Sequence, residues 1–134
     1  MAKLAENVRA FLEDVHLAVI TTINRDSSPH QTALWYELRG DSIVLNTGTA
    51  SKKVRNLRRD PRVSVCMAAL TPARHVTIEG IATFDEDHVL EDLTSLASRY
   101  AGTEAGPGIA ANIAKIPHIT VKVSVDRVRT FGKI

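Results

Sequence analysis

The chain has few of the residues that mark several common protein classes. A single cysteine, Cys66, lies in an apolar run, so no internal disulfide and no cysteine-based metal site can form within one chain. Only 4% of the residues are aromatic, which predicts a core of Val, Ile, Leu and Ala. With 44% hydrophobic and 24% charged residues, the composition fits one globular domain spanning residues 1–134.

Long apolar segments are also lacking. No segment approaches the roughly 20 apolar residues that cross a bilayer, and the first residues do not resemble a signal peptide. These absences predict a soluble, cytoplasmic protein without a membrane partner. The net charge of +2 is too weak to indicate nucleic acid binding, although residues 50–62 hold six basic residues and one Asp.

The motifs of well-known catalytic sites are missing. No G-x-S-x-G, G-x-G-x-x-G or P-loop motif occurs, which argues against a nucleophile-elbow hydrolase and against the common nucleotide sites. The five histidines contain no H-x-x-x-H pair, so no metal site is expected. No acid or base stands out, and the catalytic residues stay unknown.

The order of hydrophobic patterns predicts a mostly β protein with helices (α+β). Short turns join consecutive strands, which favours antiparallel pairing in a six- to seven-stranded barrel. Strands are expected over 17–23, 30–38, 42–47, 63–69, 75–84, 119–125 and 127–131. Amphipathic helices are expected over 4–15, from 49 or 51 to 59, and from 85 or 87 to about 100. Gly80 predicts a bulge or a close backbone approach, and Gly106-Pro107-Gly108 predicts an irregular loop.

The segment I-V-L-N-T-G-T-A-S-K-K-V-R-N-L carries the strongest functional signal. Lys52 and Lys53 lie in the first turn of the predicted helix, where cations oppose the helix dipole. A bound anion would reverse that penalty and would meet free backbone N–H groups and the hydroxyls of Thr47, Thr49 and Ser51. A solvated basic face explains the same pattern, so both interpretations stay open.

The predicted strand 30–38 holds the only tryptophan. Gln31 and Thr32 are suited to hydrogen-bond the edge of a planar ring, and alternation places Gln31, Ala33 and Trp35 on one face. The alternative interpretation is that Trp35 and Tyr36 make core or dimer contacts, and this alternative is favoured for Tyr36.

These segments, in this order and spacing, resemble a known family. L-A-V-I-T-T, P-H-Q-T-A-L-W-Y, I-V-L-N-T and S-K-K-V-R-N-L-R-R-D-P-R-V are similar to the pyridoxamine 5′-phosphate oxidase-like, flavin-binding split-barrel proteins. Within that family the chain resembles the short members that use the deazaflavin coenzyme F-420. The resemblance implies a split barrel and a homodimer with two cofactor sites at its interface.

The resemblance also implies which residues bind the cofactor. Lys52 and Lys53 would hold its phosphate, Thr47 and Ser51 would contact the phosphate or ribityl chain, and Phe131 would lie near the ring. Arg74 and His75 would reach the partner subunit's site. The complete expected set is Gln31, Thr32, Ala33, Trp35, Thr47, Thr49, Ser51, Lys52, Lys53, Arg55 and Asn56.

The implied activity is hydride transfer from reduced F-420 to an unsaturated or quinone-like organic substrate. The C-terminal basic motif of the vitamin B6 oxidases is missing, so that reaction is not expected. An FMN-dependent oxidoreductase and a non-catalytic carrier of flavin or deazaflavin remain alternatives. A nucleic acid-binding module is disfavoured because no aromatic residues interleave with the basic run.

Overall fold

The computed structural model describes residues 3–134, which form eight strands and four helices. In chain order the elements are α1 Glu6–Glu13, β1 Ala18–Ile23, β2 Pro29–Leu34, β3 Glu37–Arg39, β4 Ser42–Gly48, α2 Lys52–Arg59, β5 Arg62–Ala69, β6 Arg74–Asp85, α3 Val89–Ala101, α4 Gly106–Ile113, β7 His118–Ser124 and β8 Arg127–Phe131. All strand pairings among them are antiparallel, in the order β2-β1-β5-β6-β7-β4-β3, with β8 pairing to β6. This curled sheet confirms the predicted α+β split-barrel class.

Strand β6 joins the two halves of the barrel. It is 12 residues long and pairs with β5 and β8 along its first part and with β7 along its last part. Gly80 lies at the crossing point, where an added Cβ would be 1.8 Å from the backbone oxygen of Ser124. The close backbone approach predicted from the sequence is therefore confirmed, and only glycine fits there.

The core consists mainly of aliphatic side chains, as the composition predicts. Leu12, Ile43, Val65 and Ile78 are fully buried where α1, β4, β5 and β6 meet. Tyr36 is the aromatic exception at 0% exposure, and its hydroxyl donates to Leu12 O over 2.7 Å. Of the core or dimer contacts expected for Tyr36, the structure shows the core position.

The expected single strand over 30–38 is wrong. The chain leaves β2 at Leu34 and enters β3 at Glu37, and these two strands lie at opposite ends of the sheet order. Between them the Tyr36 side chain turns into the core, and its N–H donates to Tyr100 Oη over 3.1 Å instead of to a neighbouring strand. This division explains why there are eight strands and not six or seven.

The expected irregular loop at Gly106-Pro107-Gly108 is also wrong, because these residues begin α4. Proline is tolerated in the first helical turn, since an N–H there has no acceptor within the helix. Gly106 lets α4 approach α3 closely: an added Cβ would lie 2.2 Å from Ser98 Oγ. Among the described residues, no helix has the length and apolar character to span a bilayer.

Candidate functional site

The start of α2 is built as the sequence predicts. Ser51 caps the helix, with its Oγ accepting from the Val54 N–H over 3.3 Å, and Thr47 Oγ1 lies 3.4 Å from Ser51 Oγ. The first backbone bond to Ser51 O comes from Arg55, at 3.2 Å. The N–H groups of Lys52 and Lys53 precede that bond and are available to an anion. The first turn holds no acidic residue.

Lys53 has the properties of an anion ligand. Its side chain is partly buried, and this burial lowers the pKa of its ammonium group. Within residues 3–134 it forms no ion pair with a carboxylate. A partly desolvated cation without a counter-ion is unfavourable, so an anion at this position would stabilise it.

Lys52 lies on a different surface. It lines a groove of about 930 Å³, the basic groove, between α2 and the turn that joins β1 to β2. The basic residues of this groove are Arg25, Lys52, Arg55, Arg58 and Arg59, and Lys53 is not among its lining residues. Neighbouring positions on a helix are about 100° apart, which accounts for the separation. That Lys52 and Lys53 bind the same phosphate stays a prediction.

Two further predicted residues of α2 have structural roles. Asn56 is 2% exposed, and its Nδ2 donates to Thr22 Oγ1 and Asn24 Oδ1, both at 3.0 Å. It therefore fastens α2 to β1 and to the following turn. Arg55 donates from Nη1 to Ala50 O over 2.8 Å and remains exposed in the basic groove. Thr49 is exposed, with its N–H bonded to Pro117 O at 3.0 Å.

The residues of β2 divide between its two faces. Gln31 and Ala33 are on the exposed face, as alternation predicts, and Gln31 Nε2 donates to Thr21 Oγ1 over 3.0 Å. Thr32 faces the other way. Its Oγ1 and His30 Nδ1 are buried without a hydrogen-bond partner in the described chain. Unpaired buried polar atoms are unfavourable, so a polar ligand at this face of β2 would satisfy them.

Trp35 lies against a separate pocket of about 320 Å³, the Trp35 pocket. Its indole stacks on the ring of Tyr100, with centroids 5.2 Å apart and planes at 11°. The pocket brings Trp35 and Ala33 together with residues from four other elements, which are β4, α3, α4 and β7. Its lining residues are Leu17, Ala33, Leu34, Trp35, Asn46, Leu93, Leu96, Ile113 and His118.

The sequence interpretation missed Asn46 and His118. A polar residue between Leu45 and Thr47 in a buried strand is the one local signal for Asn46. No local signal points to the walls from α3 and α4, since these depend on how the helices pack on the sheet.

Phe131 and His75 lie together on neighbouring strands, with stacked rings 5.3 Å apart. Phe131 is 58% exposed. The Arg74 guanidinium lies 5.6 Å from the centroid of the Phe11 ring. This surface is available to a second subunit or to a ligand.

Comparison with known protein families shows which family the chain belongs to. Residues 4–132, nearly the whole chain, match the family described as pyridoxamine 5′-phosphate oxidase. The chain belongs to this family. The family resemblance seen in the sequence is thereby confirmed. The split-barrel fold described above agrees with membership of this family.

Three relatives are informative. An F-420H(2)-dependent biliverdin reductase of Mycobacterium tuberculosis (strain CDC 1551 / Oshkosh) is 24% identical over 128 residues, which are 94% of this chain and 87% of the relative. The crystal structure of a conserved hypothetical protein of Mycobacterium tuberculosis is 30% identical, with a TM-score of 0.78 over 96% of this chain and 85% of that one. A structure named F-420 reductase has a TM-score of 0.80 at 20% identity, covering 94% and 98% of the two chains, and shows the fold.

Proposed function

We propose that this protein is a cytoplasmic reductase that passes hydride from reduced F-420 to an unsaturated or quinone-like organic substrate. The observation that carries the proposal is Lys53, a partly buried ammonium group at the start of α2 that has no carboxylate partner within residues 3–134. The similarity to a reductase named for reduced F-420 supports the choice of cofactor.

The residues present fit a cofactor with a phosphate and a planar ring. The free N–H groups of α2, Ser51 and Lys53 form a cradle for a phosphate. Thr47 is 8% exposed, and its hydroxyl lies beside that of Ser51. Ala33 and Trp35 supply apolar surface of the kind that packs against a ring.

Bound F-420 would supply the hydride, and the residues of the chain would bind and orient the reactants. Lys53 would fix the phosphate end, which sets where the rest of the cofactor can lie. Trp35, held flat by Tyr100, would exclude water from one side of the reacting rings. A rigid arrangement of this kind accelerates transfer by holding donor and acceptor carbons in position.

We further propose a homodimer with cofactor sites at its interface. The exposed faces of β2 and β8 carry Gln31, Ala33 and the exposed ring of Phe131. A partner subunit covering these residues would complete the ring-binding part of the site. Light scattering during size-exclusion chromatography should give twice the 14.6 kDa mass of the chain. A monomer at working concentration would contradict the shared site.

The activity is tested by mixing the protein with reduced F-420 and either biliverdin or menadione, a quinone. We expect protein-dependent return of the fluorescence of oxidised F-420, together with loss of the acceptor's absorbance. Tight binding of F-420 without any turnover across such acceptors would instead support the non-catalytic carrier.

FMN-dependent oxidoreduction is the second candidate. The family description names an oxidase, and the phosphate cradle at α2 suits FMN as well as F-420. Replacing F-420 by FMN and NADH in the same assay distinguishes the two. Turnover with FMN and NADH but not with F-420 would identify FMN as the cofactor.

A further inference from the structure

The amide of Asn46 has one atom that no other group of the described chain satisfies. Asn46 lies on β4 in the wall of the Trp35 pocket. Its Nδ2 donates to Thr120 Oγ1 over 3.2 Å, whereas its Oδ1 is buried and has no hydrogen-bond partner. The amide thus carries an unused acceptor beside the pocket.

A chain of buried polar groups sets the orientation of this amide. Thr120 is fully buried, and its hydroxyl donates to Asp92 Oδ2 over 2.7 Å. Asp92 is 4% exposed, and its other oxygen accepts from Arg39 Nη1 over 2.8 Å. The Thr120 hydroxyl has a single proton, which it gives to Asp92, so towards Asn46 it can only accept.

The direction of these hydrogen bonds therefore excludes the flipped orientation of the Asn46 amide. A flip would place Asn46 Oδ1 against Thr120 Oγ1, bringing two acceptors together without a proton between them. Arg39, Asp92 and Thr120 act as positioning residues that keep Oδ1, which is buried, as the unpaired atom of the amide. An acceptor held in place and left unpaired favours a ligand that brings a donor.

His118 adds a second acceptor to the same pocket. Its Nδ1 lies 2.7 Å from Ile116 O, and a carbonyl oxygen can only accept, so Nδ1 carries the proton. In the neutral ring Nε2 is then an acceptor. The other lining residues are apolar, including Leu17, Leu93 and Leu96.

We propose that the Trp35 pocket selects planar, largely apolar rings that carry an N–H donor, and that Asn46 Oδ1 receives this donor. The ring system would stack beside Trp35. An imide N–H of the cofactor and a lactam or pyrrole N–H of the substrate share this chemistry. The inference rests on the proposed function only in naming the cofactor and the substrate as the two ligands that could supply the ring.

Phthalimide and N-methylphthalimide test the selection without any cofactor, because they share one ring system and only phthalimide has the N–H donor; Asn46→Leu controls for the bulk of the added methyl group. Trp35 is the single tryptophan, so its fluorescence reports binding in the pocket. We expect the native protein to bind phthalimide about fivefold or more tightly than its N-methyl form, in line with one hydrogen bond. Asn46→Leu should remove the preference. Equal affinities in the native protein, or an unchanged preference in Asn46→Leu, would overturn the proposal.

Two variants of Thr120 separate positioning from folding. Thr120→Ser keeps the hydroxyl and should keep the preference for the N–H probe. Thr120→Val removes the hydroxyl that links Asn46 to Asp92 and lets the Asn46 amide turn, so the preference for the N–H probe should fall. Thermal melting of both variants shows whether they are folded. A preference retained in folded Thr120→Val would contradict the positioning role.

Competition experiments show whether the cofactor or the substrate occupies the Trp35 pocket. If the cofactor ring fills the pocket, F-420 displaces phthalimide and Asn46→Leu weakens F-420 binding. If the substrate fills it, biliverdin displaces phthalimide from protein saturated with F-420, and Asn46→Leu leaves F-420 binding unchanged. The fluorescence of F-420 itself shows separately whether the proposed cofactor binds at all. Displacement by neither ligand would overturn the assignment of this pocket as a ligand-selecting site.

Discussion

The indole of Trp35 lies nearly parallel to the ring of Tyr100, at 5.2 Å between centroids, although Trp35 follows β2 and Tyr100 lies far along the sequence, in α3. Tyr100 is itself held by two backbone contacts: its hydroxyl donates to His16 O and accepts from the Tyr36 N–H at 3.1 Å. The position of Trp35 thus depends on α3, and one wall of its pocket is set by tertiary packing.

Removing the Tyr100 ring should release Trp35. In Tyr100→Leu we expect the tryptophan emission to shift to longer wavelength, because the indole loses its stacking partner and gains contact with water. Tyr100→Phe keeps a ring at this position and is the matched control, with little shift expected. An emission maximum unchanged in folded Tyr100→Leu would contradict the role of this stacking pair.

Lys53→Ala should weaken cofactor binding by about 1.5–3 kcal/mol, which is roughly 10- to 150-fold in Kd. The reason is that Lys53 is a partly buried cation at the start of α2 for which the described part of the chain provides no counter-ion. A fluorescence titration with F-420 measures the change. Lys133→Ala removes an exposed lysine and serves as the control. Equal affinity of Lys53→Ala and the native protein would exclude Lys53 as a phosphate ligand.

Two glycines in the first turn of α4 should respond in opposite directions to alanine. Gly106→Ala would bring a Cβ within 2.6 Å of Ser98 Cα, and we expect a loss of about 1–3 kcal/mol in the free energy of unfolding. At Gly108 an added Cβ meets nothing within 4 Å, so Gly108→Ala should stabilise by about 0.5–1 kcal/mol. Urea unfolding measures both. Equal effects would mean that α4 does not pack on α3 as described.

The pair of Asp85 and His88 should make stability depend on pH in two windows. The backbone N–H of Asp87, at 2.8 Å, and then His88 lower the pKa of Asp85 from 3.8 to about 2. The hydrogen bond to Asp85, at 3.0 Å, raises the pKa of His88 above 6.5. The Asp85 contribution is lost as pH falls towards 2, and the His88 contribution is lost as pH rises through its raised pKa.

Nuclear magnetic resonance titration measures both groups directly. We expect Asp85→Asn to return the pKa of His88 towards the ordinary value of 6.5. Glu104→Gln changes an exposed carboxylate elsewhere and should leave the His88 titration unchanged. A His88 titration that is the same in Asp85→Asn and in the native protein would refute the pairing.

Much of α2, the helix proposed to bind the phosphate, could be predicted from the sequence because its signals are local. A cap residue, two lysines in a first turn and a following Asp60-Pro61 stop define α2 within a few residues, and the helix runs Lys52–Arg59. The period of apolar residues likewise defined the strands that form the core.

What the sequence could not provide depends on contacts between distant residues. The break between β2 and β3 requires a partner for the Tyr36 N–H, and that partner is Tyr100 of α3. The orientation of Asn46 requires Thr120 and Asp92, which lie on β7 and α3. Such relations have no local signature, and they are the ones that shape the Trp35 pocket.

The most direct test of the central claim is a parallel titration of one protein preparation with F-420 and with FMN. We predict that F-420 binds at micromolar concentration or tighter, more tightly than FMN, and that Lys53→Ala weakens it at least tenfold. Tighter binding of FMN, or no binding of either cofactor at micromolar concentration, would contradict the assignment of this protein as an F-420-dependent reductase.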